Sequence, residues 1–295
     1  MTVKTGFIGI GAMGDPMARK LIAAGIPLVV HDIDLDKCRR LADLGAEIAA
    51  SPAAVARAAK RILCMVDTTA QVRAVMTGAS GVMETAGAGH QIACMSTIAP
   101  AEIRALHEEL AGSGVSFIDA PVSGGVERAR AGTLAVFIGG DAAAQAPFQD
   151  AFEAMGDHLF TTGEVGCGMA LKLVNNMLVQ VNSVAVAEAM MLGTRAGLDP
   201  QLIHDAIKVS TGYSVAFEMR VPRMIARNFA PGGRMDISYK DQELETAFAK
   251  KLGVPMLLAA VTQQVYQIAR NMGLSGEDAS ALIKVYEQLG GAQQT

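Results

Sequence analysis

Residues 3–32 constrain the fold more than any other stretch. Val3 to Ile10 is a short apolar run that ends in glycine, the length and content of a buried parallel strand. Gly9-Ile10-Gly11-Ala12-Met13-Gly14 follows, then an amphipathic helix from about Asp15 to Ala24, closed by Gly25. Pro27 to His31 reads as a second strand with Asp32 at its end. Three glycines between strand and helix, with an acid about 20 residues further on, form the arrangement that binds a dinucleotide. Gly9 allows the tight turn, Gly11 lets the backbone approach a pyrophosphate, and Gly14 lets helix and strand close on each other. Ile10, Ala12 and Met13 complete the loop, and the helix N-terminus turns N–H groups and a positive dipole end to the phosphates. Asp32 is placed to accept from the ribose hydroxyls and to repel a 2′-phosphate, which predicts NAD over NADP. Lys37, Arg39 and Arg40 follow closely on a helix; they either soften that repulsion or face solvent, and helix periodicity favours solvent.

Strand and helix signals keep alternating. Leu35–Leu44 reads as a helix and Ser51-Pro52 as a helix start. Ile62–Val66, Gln91–Met95, Val115–Ala120 and Leu134–Ile138 read as strands, with a helix opening near Pro100. This predicts a mostly parallel, doubly wound sheet of the Rossmann type. Ligands of such sheets lie at the strand C-terminal ends, which nominates Met65-Val66 and Ser96-Thr97 as cofactor neighbours. After Thr162 only helix patterns remain, among them starts at Asp199-Pro200 and Ser275-Gly276-Glu277-Asp278 and a break at Gly253-Val254-Pro255. The expectation is a dinucleotide-binding domain over 1–163 and an all-α domain over 164–295, with Ala292–Thr295 as a frayed tail.

The stretch from Gly166 to Gly197 lacks proline, opens and closes on glycine, and predicts one long helix, apolar on nearly every side. Such a helix is expected to be buried by its own chain and by a partner. Lys172 sits inside that apolar surface, with Asn175 and Asn176 on the same face and Asn182 and Ser183 extending the polar stripe. Either Lys172 snorkels to solvent near the helix start or it has a chemical task that offsets the cost of burial. Asn175, Asn176, Gln180 and Asn182 interrupt the apolar run, which argues against a membrane span. A net charge of -4 leaves no basic footprint for nucleic acid. The N-terminus has no signal-peptide pattern. The four cysteines form no C-x-x-C pair, so free thiols in a reducing cytoplasm are expected. Five scattered histidines predict no metal site.

Asp119-Ala120-Pro121-Val122-Ser123-Gly124-Gly125 runs from a strand end into a glycine pair. It is either an ordinary turn or a concavity in which a serine hydroxyl and successive N–H groups receive a carboxylate. With this block in view the chain resembles the β-hydroxyacid dehydrogenase family. The matching segments are G-I-G-A-M-G-D-P-M-A from Gly9, D-A-P-V-S-G-G from Asp119, G-T-L from Gly132, G-C-G-M-A-L-K-L-V-N-N from Gly166, and Lys240-Asp241. They come in family order and span most of the chain. The resemblance implies a Rossmann domain and an all-helical domain joined by the long helix. It places the catalytic lysine on Lys172, substrate binding on Ser123, Gly124 and Gly125, and the substrate-side asparagine on Asn176, with Asn175 beside it. The cofactor threonine falls on Thr97 and a lysine near the nicotinamide on Lys240. The chain departs from the family at Asp32-Ile33, where many members carry Asn-Arg and resemble NADP users, and at Val66-Asp67, where Leu-Pro is more usual. Imine reductases share the architecture but lack the lysine that this chain keeps.

The expected reaction is hydride transfer between NAD and the hydroxyl carbon of a small 3-hydroxy acid similar to 3-hydroxyisobutyrate, with Lys172 as general acid/base. A lysine in that role must spend part of its time uncharged, whereas a free one titrates near ~10.4. The alternatives are a reductase of a small aldehyde acid, which is the same chemistry reversed, and a non-catalytic nucleotide-sensing protein that kept the fold. The family implies a homodimer or homotetramer. Tyr213, Phe217, Arg220 and Arg223 are candidates for the far side of the substrate pocket, or else interhelix or surface contacts.

Overall fold

The computed structural model describes residues 3–291, so the tail expected at Ala292–Thr295 lies outside the described residues. The chain divides into two compact units, Met1–Lys172 and Leu173–Thr295. The strands of the first unit are β1 (Thr5–Ile8), β2 (Leu28–His31), β3 (Glu47–Ile48), β4 (Arg61–Cys64), β5 (Gln91–Cys94), β6 (Ser116–Asp119), β7 (Val122–Ser123), β8 (Leu134–Gly139) and β9 (Gly156–Gly163). Its helices are α1 (Gly14–Ala23), α2 (Leu35–Ala42), α3 (Pro52–Ala58), α4 (Thr69–Thr77), α5 (Pro100–Leu110), α6 (Gly125–Ala131), α7 (Ala142–Gln145) and α8 (Gln149–Met155). Then comes α9 (Cys167–Arg195), inside which the division between the units falls.

The sheet order is β3-β2-β1-β4-β5-β6-β8-β7, with β9 beside β8. β1 to β6 are parallel, as the alternation predicted. From β1 the chain winds outward to β2 and β3, then returns to the other side of β1 with β4 and continues to β5 and β6. The reversal lies between β1 and β4, so the ligand crevice of this topology opens beyond Ile8 and Cys64. Successive side chains leave opposite faces of the sheet. Phe7 joins one core with Met17, Leu21, Val30 and Leu63; Ile8 joins the other with Val29, Ile62, Val72 and Ile92.

The far edge is mixed. β8 runs antiparallel to β6 and β7, and β9 pairs with it in parallel. β9 was not expected from the sequence: most of its residues are exposed, and Asp157, His158, Thr161 and Thr162 give it no apolar alternation. Arg61, the first residue of β4, is 1% exposed. It donates to Thr5 Oγ1 (2.8 Å), Pro147 O (2.8 Å) and Val3 O (3.1 Å) and pairs with Asp150. Four partners compensate the buried guanidinium and tie β1, β4 and α8 together. Cys64 and Cys94 are register partners on neighbouring strands, both buried, and burial pushes the Cys64 thiol up to about 12.

The second unit continues α9 and adds α10 (Pro200–Lys208), α11 (Val215–Ile225), α12 (Met235–Leu252), α13 (Leu257–Asn271) and α14 (Leu282–Leu289). Its core joins Ala187, Met190, Phe217, Val221, Met224, Met235, Tyr266 and Leu282. Of the four candidates for distal pocket lining, Phe217 and Arg220 are buried and Arg223 is half-buried. Phe217 is a core side chain; Arg220 Nη1 lies 2.9 and 3.0 Å from the buried Asp278 carboxylate, and Arg223 Nε 3.5 Å from it. Asp278 also accepts from the N–H groups of Gly233 and Ser280. This network closes the helical core, and removing one member of such a buried pair costs about 3–5 kcal/mol.

The long helix forms as expected, but its own chain does not cover it all round. Leu171, Val174, Leu178 and Leu192 are exposed, Leu192 at 73%. Among the described residues it is the one helix long and apolar enough to cross a membrane, with mean hydropathy 1.3. Its Asn176 and Gln180 nevertheless bond to α12, at Asp241 Oδ2 (2.7 Å) and Ser238 O (3.2 Å), which ties that stretch into the helical core.

Candidate active site

The glycine loop stands at the sheet reversal, and each glycine has its own reason. Gly9 has φ +98°, and a Cβ there would lie 2.1 Å from Met65 O. A Cβ on Gly14 would lie 1.9 Å from Gly9 O, so only glycine lets α1 close on β1. Gly11 differs: a Cβ there would meet nothing within 4 Å. The backbone of Gly11 is therefore bare towards open space, which a phosphate-binding turn requires. Met13 precedes α1 and provides no side-chain cap. These features fit a dinucleotide. Ile10 is buried beneath the loop, and Ala12 is its exposed residue.

Asp32 Oδ2 accepts from the Ile10 N–H at 2.6 Å and Oδ1 from the Asp34 N–H at 2.9 Å. The acid thus braces the glycine loop from the end of β2. Of the two readings for Lys37 the softening one holds: the side chain is half-buried and its Nζ lies 3.7 Å from Asp32 Oδ1. The first turn of α2 carries it back over the strand end. Arg39 pairs with Asp36 and stays exposed, as expected. On the other side of the reversal, Met65 N–H donates to Ile8 O at 2.8 Å. Val66 N–H donates to Ser96 Oγ at 2.7 Å. Ser96 is fully buried, so it joins the two turns nominated by topology and leaves the half-buried Thr97 at their rim.

Ser123, Gly124 and Gly125 are half-buried at the end of β7. Gly124 has φ +137° and Gly125 φ +69°, conformations that favour glycine. Lys172 lies half-buried on α9, one helical turn before the half-buried Asn175 and Asn176. Within the helical unit, Asn176 Nδ2 donates to Asp241 Oδ2 at 2.7 Å, and Asn175 Nδ2 to Asn176 Oδ1 at 3.2 Å. Lys240 Nζ lies 2.9 Å from Asp241 Oδ1. The structure therefore gathers Asn175, Asn176 and Lys240 around Asp241, a residue noted in the sequence only as half of the Lys240-Asp241 pair. Asp119 Oδ1 accepts from the Gly166 N–H at 2.8 Å and Oδ2 from the Met169 N–H at 2.7 Å. Burial outweighs those two bonds and pushes its carboxyl up to about 6. Among the described residues no group of His, Cys, Asp and Glu is placed to hold a metal.

Known proteins carry the same plan. Residues 4–166 match the NAD-binding domain of 6-phosphogluconate dehydrogenase. Residues 166–286 match the NAD-binding domain of NADP-dependent 3-hydroxyisobutyrate dehydrogenase. The chain is 35% identical over 291 residues to 2-(hydroxymethyl)glutarate dehydrogenase of Eubacterium barkeri, covering 98% of this chain and 97% of that one. It is 35% identical over 285 residues to 2-hydroxy-3-oxopropionate reductase of Escherichia coli, covering 97% of each. A crystal structure of 3-hydroxyisobutyrate dehydrogenase from Salmonella typhimurium superposes with a TM-score of 0.89 at 30% identity, over 96% of this chain and 99% of that one. The glycine loop, the Asp119–Gly125 block and the helix bearing Lys172 thus stand in a pattern shared over nearly the whole length, and the chain belongs to the β-hydroxyacid dehydrogenase family.

Proposed function

We propose that this chain is an NAD-dependent dehydrogenase of a small 3-hydroxy acid, with Lys172 as the general acid/base. The observation that carries the nucleotide half is the glycine loop, closed at Gly9 and Gly14 and bare at Gly11. When bound, a nicotinamide dinucleotide supplies the hydride chemistry. The remaining work belongs to side chains and amides of the protein. Lys172 Nζ takes the hydroxyl proton in oxidation and returns it in reduction. The Ser123 hydroxyl and the Gly124 and Gly125 N–H groups receive the substrate carboxylate. Asn176, held by Asp241, and Asn175 beside it orient the substrate. Thr97, Met65 and Val66 are assigned to the cofactor wall, and the family resemblance assigns Lys240 to the nicotinamide.

NAD is the proposed cofactor because Asp32 keeps a carboxylate at the ribose position. Lys37 at 3.7 Å tempers that charge, so the preference is one of degree. Exposed Leu257, Leu258 and Val261 on α13, at 79%, 72% and 66%, form an apolar face that supports a homodimer or homotetramer. Light scattering at micromolar concentration tests this, and a monomeric mass refutes it. The unpaired thiols of Cys38, Cys64, Cys94 and Cys167 suit a reducing, cytoplasmic location.

The deciding experiment is a turnover screen of 3-hydroxyisobutyrate, serine, threonate, glycerate and sulfonated analogues with NAD and with NADP. One of these acids is expected to turn over with a higher kcat/KM for NAD. Tight binding of NAD with no turnover of any acid or semialdehyde would instead favour a nucleotide sensor.

A further inference from the structure

We propose that Asp119 is a positioning residue for Lys172, acting from the end of β6 as the N-terminal cap of α9. The inference rests on the catalytic reading of Lys172. A helix start leaves several N–H groups without intrahelical partners, and a Ser, Thr, Asp or Asn just before the helix ordinarily receives one of them. α9 has no such residue. Gly166 stands there with φ +92° and no side chain to offer. The acceptor comes from another strand: both oxygens of Asp119 are engaged, Oδ1 by Gly166 N–H at 2.8 Å and Oδ2 by Met169 N–H at 2.7 Å. The carboxylate thus grips the first turn at two points, which fixes both the position of the helix along its axis and its rotation about it.

The grip has no slack. A Cβ on Gly139 would lie 2.3 Å from Asp119 Oδ1. A Cβ on Gly168 would lie 2.9 Å from Oδ2 and 2.4 Å from Phe137 O. Glycine at both positions leaves a slot that the carboxylate fills. The charged side chain of Arg104 stands on the solvent side, its Nε donating to Val165 O at 3.2 Å, and the buried Cys94 thiol lies on the strand side. Lys172 follows Met169 by three residues of unbroken helix, about 4.5 Å along the axis. A small rotation at the gripped turn therefore carries the lysine Cα with it, and placement errors near 1 Å are enough to cost about 10²-fold in rate.

The test uses the full-length protein and three variants: Lys172→Ala, Asp119→Asn and the double variant. Asp119→Asn keeps the shape but leaves only one acceptor oxygen for two N–H groups. It is expected to lower kcat by about tenfold or more while leaving the NAD dissociation constant unchanged. In the Lys172→Ala background the same substitution is expected to cost no further turnover, since there is no lysine left to misplace. Should Asp119→Asn not accumulate folded, Asp119→Ser, which keeps a smaller acceptor, is read in the same way. A wild-type kcat in the Asp119 variant, or an equal loss with and without Lys172, overturns the positioning role and leaves the lysine reading standing. Lys172→Ala with more than about a tenth of wild-type turnover overturns both.

Discussion

Two helices of the N-terminal unit begin beside a glycine and are finished in opposite ways. At α1 no side chain caps the first turn, and the space over Gly11 is open. At α9 the start is sealed by a carboxylate from β6, in a slot walled by Gly139 and Gly168. The same partial positive charge is present at both ends. Left uncovered, it is a site for a phosphate; covered by the chain's own carboxylate, it becomes a fixing point for whatever the helix carries. Glycine serves both ends, once by exposing backbone and once by making room for an acid.

Substitutions at the two ends are expected to separate binding, stability and rate. The largest effect belongs to the sealed helix: Lys172→Ala is expected to lower kcat by on the order of 10²–10⁴-fold with NAD affinity kept, measured by steady-state kinetics and calorimetric titration. Lys172→Arg should not restore turnover, because a guanidinium does not give up its proton in this range. Gly11→Val places a branched side chain where nothing now stands within 4 Å. It is expected to weaken NAD by on the order of 10²-fold while leaving the melting temperature unchanged, since the bulk enters only the ligand's space. Gly14→Ala should do the reverse first, losing about 1–3 kcal/mol of stability in urea titration as its Cβ meets Gly9 O.

The sealed end also has a pH signature. The Asp119 carboxyl is raised to about 6 from 3.8, so between those two values the folded chain holds a proton there that the unfolded chain has released. The stability this adds is complete below the unfolded value and is lost as pH rises through about 6. The difference between wild type and Asp119→Asn, from melts at pH 4 and pH 8, is expected to change by on the order of 1–3 kcal/mol in that sense. A flat difference would mean that the helix start, not burial, governs this acid. The smallest effect is at the open end: Lys37→Ala should sharpen the preference for NAD by a few-fold at low salt, in keeping with a 3.7 Å pair whose lysine is partly open to solvent, worth about 0.2–1 kcal/mol.

How much of this was legible in the sequence depends on the range of the interaction. The Gly9–Gly14 loop, β1, β2 and the ladder to β6 follow from local patterns: apolar runs of strand length, glycines at fixed offsets and Pro100 at a helix start. The helix from Cys167 to Arg195 was equally plain. What escaped is either non-local or unpatterned. β9 lies mostly exposed against β8 and needs no apolar alternation to hold its place. Asp119 is a motif residue in the sequence, but its two partners lie on α9, beyond any local signal. Lys37 stayed open between solvent and Asp32, because helix periodicity assigns it a face without saying that Asp32 waits beside that face. Arg220 and Arg223 stayed open between pocket lining and interhelix contacts; they are interhelix contacts, because the Asp278 that pairs with them lies more than fifty residues further along the chain.

The distribution of the cysteines gives this molecule an unplanned handle. Cys38, Cys64 and Cys94 are buried in the sheet domain, and burial holds all three thiols above their ordinary range. Cys167 is half-buried and is the first residue of α9, directly after the glycine that Asp119 grips. A water-soluble maleimide or spin label added to the native protein should therefore modify one position without any engineering. That position sits on the turn whose seating sets the reactive lysine, so the rate of labelling becomes a clock for how often that turn comes loose.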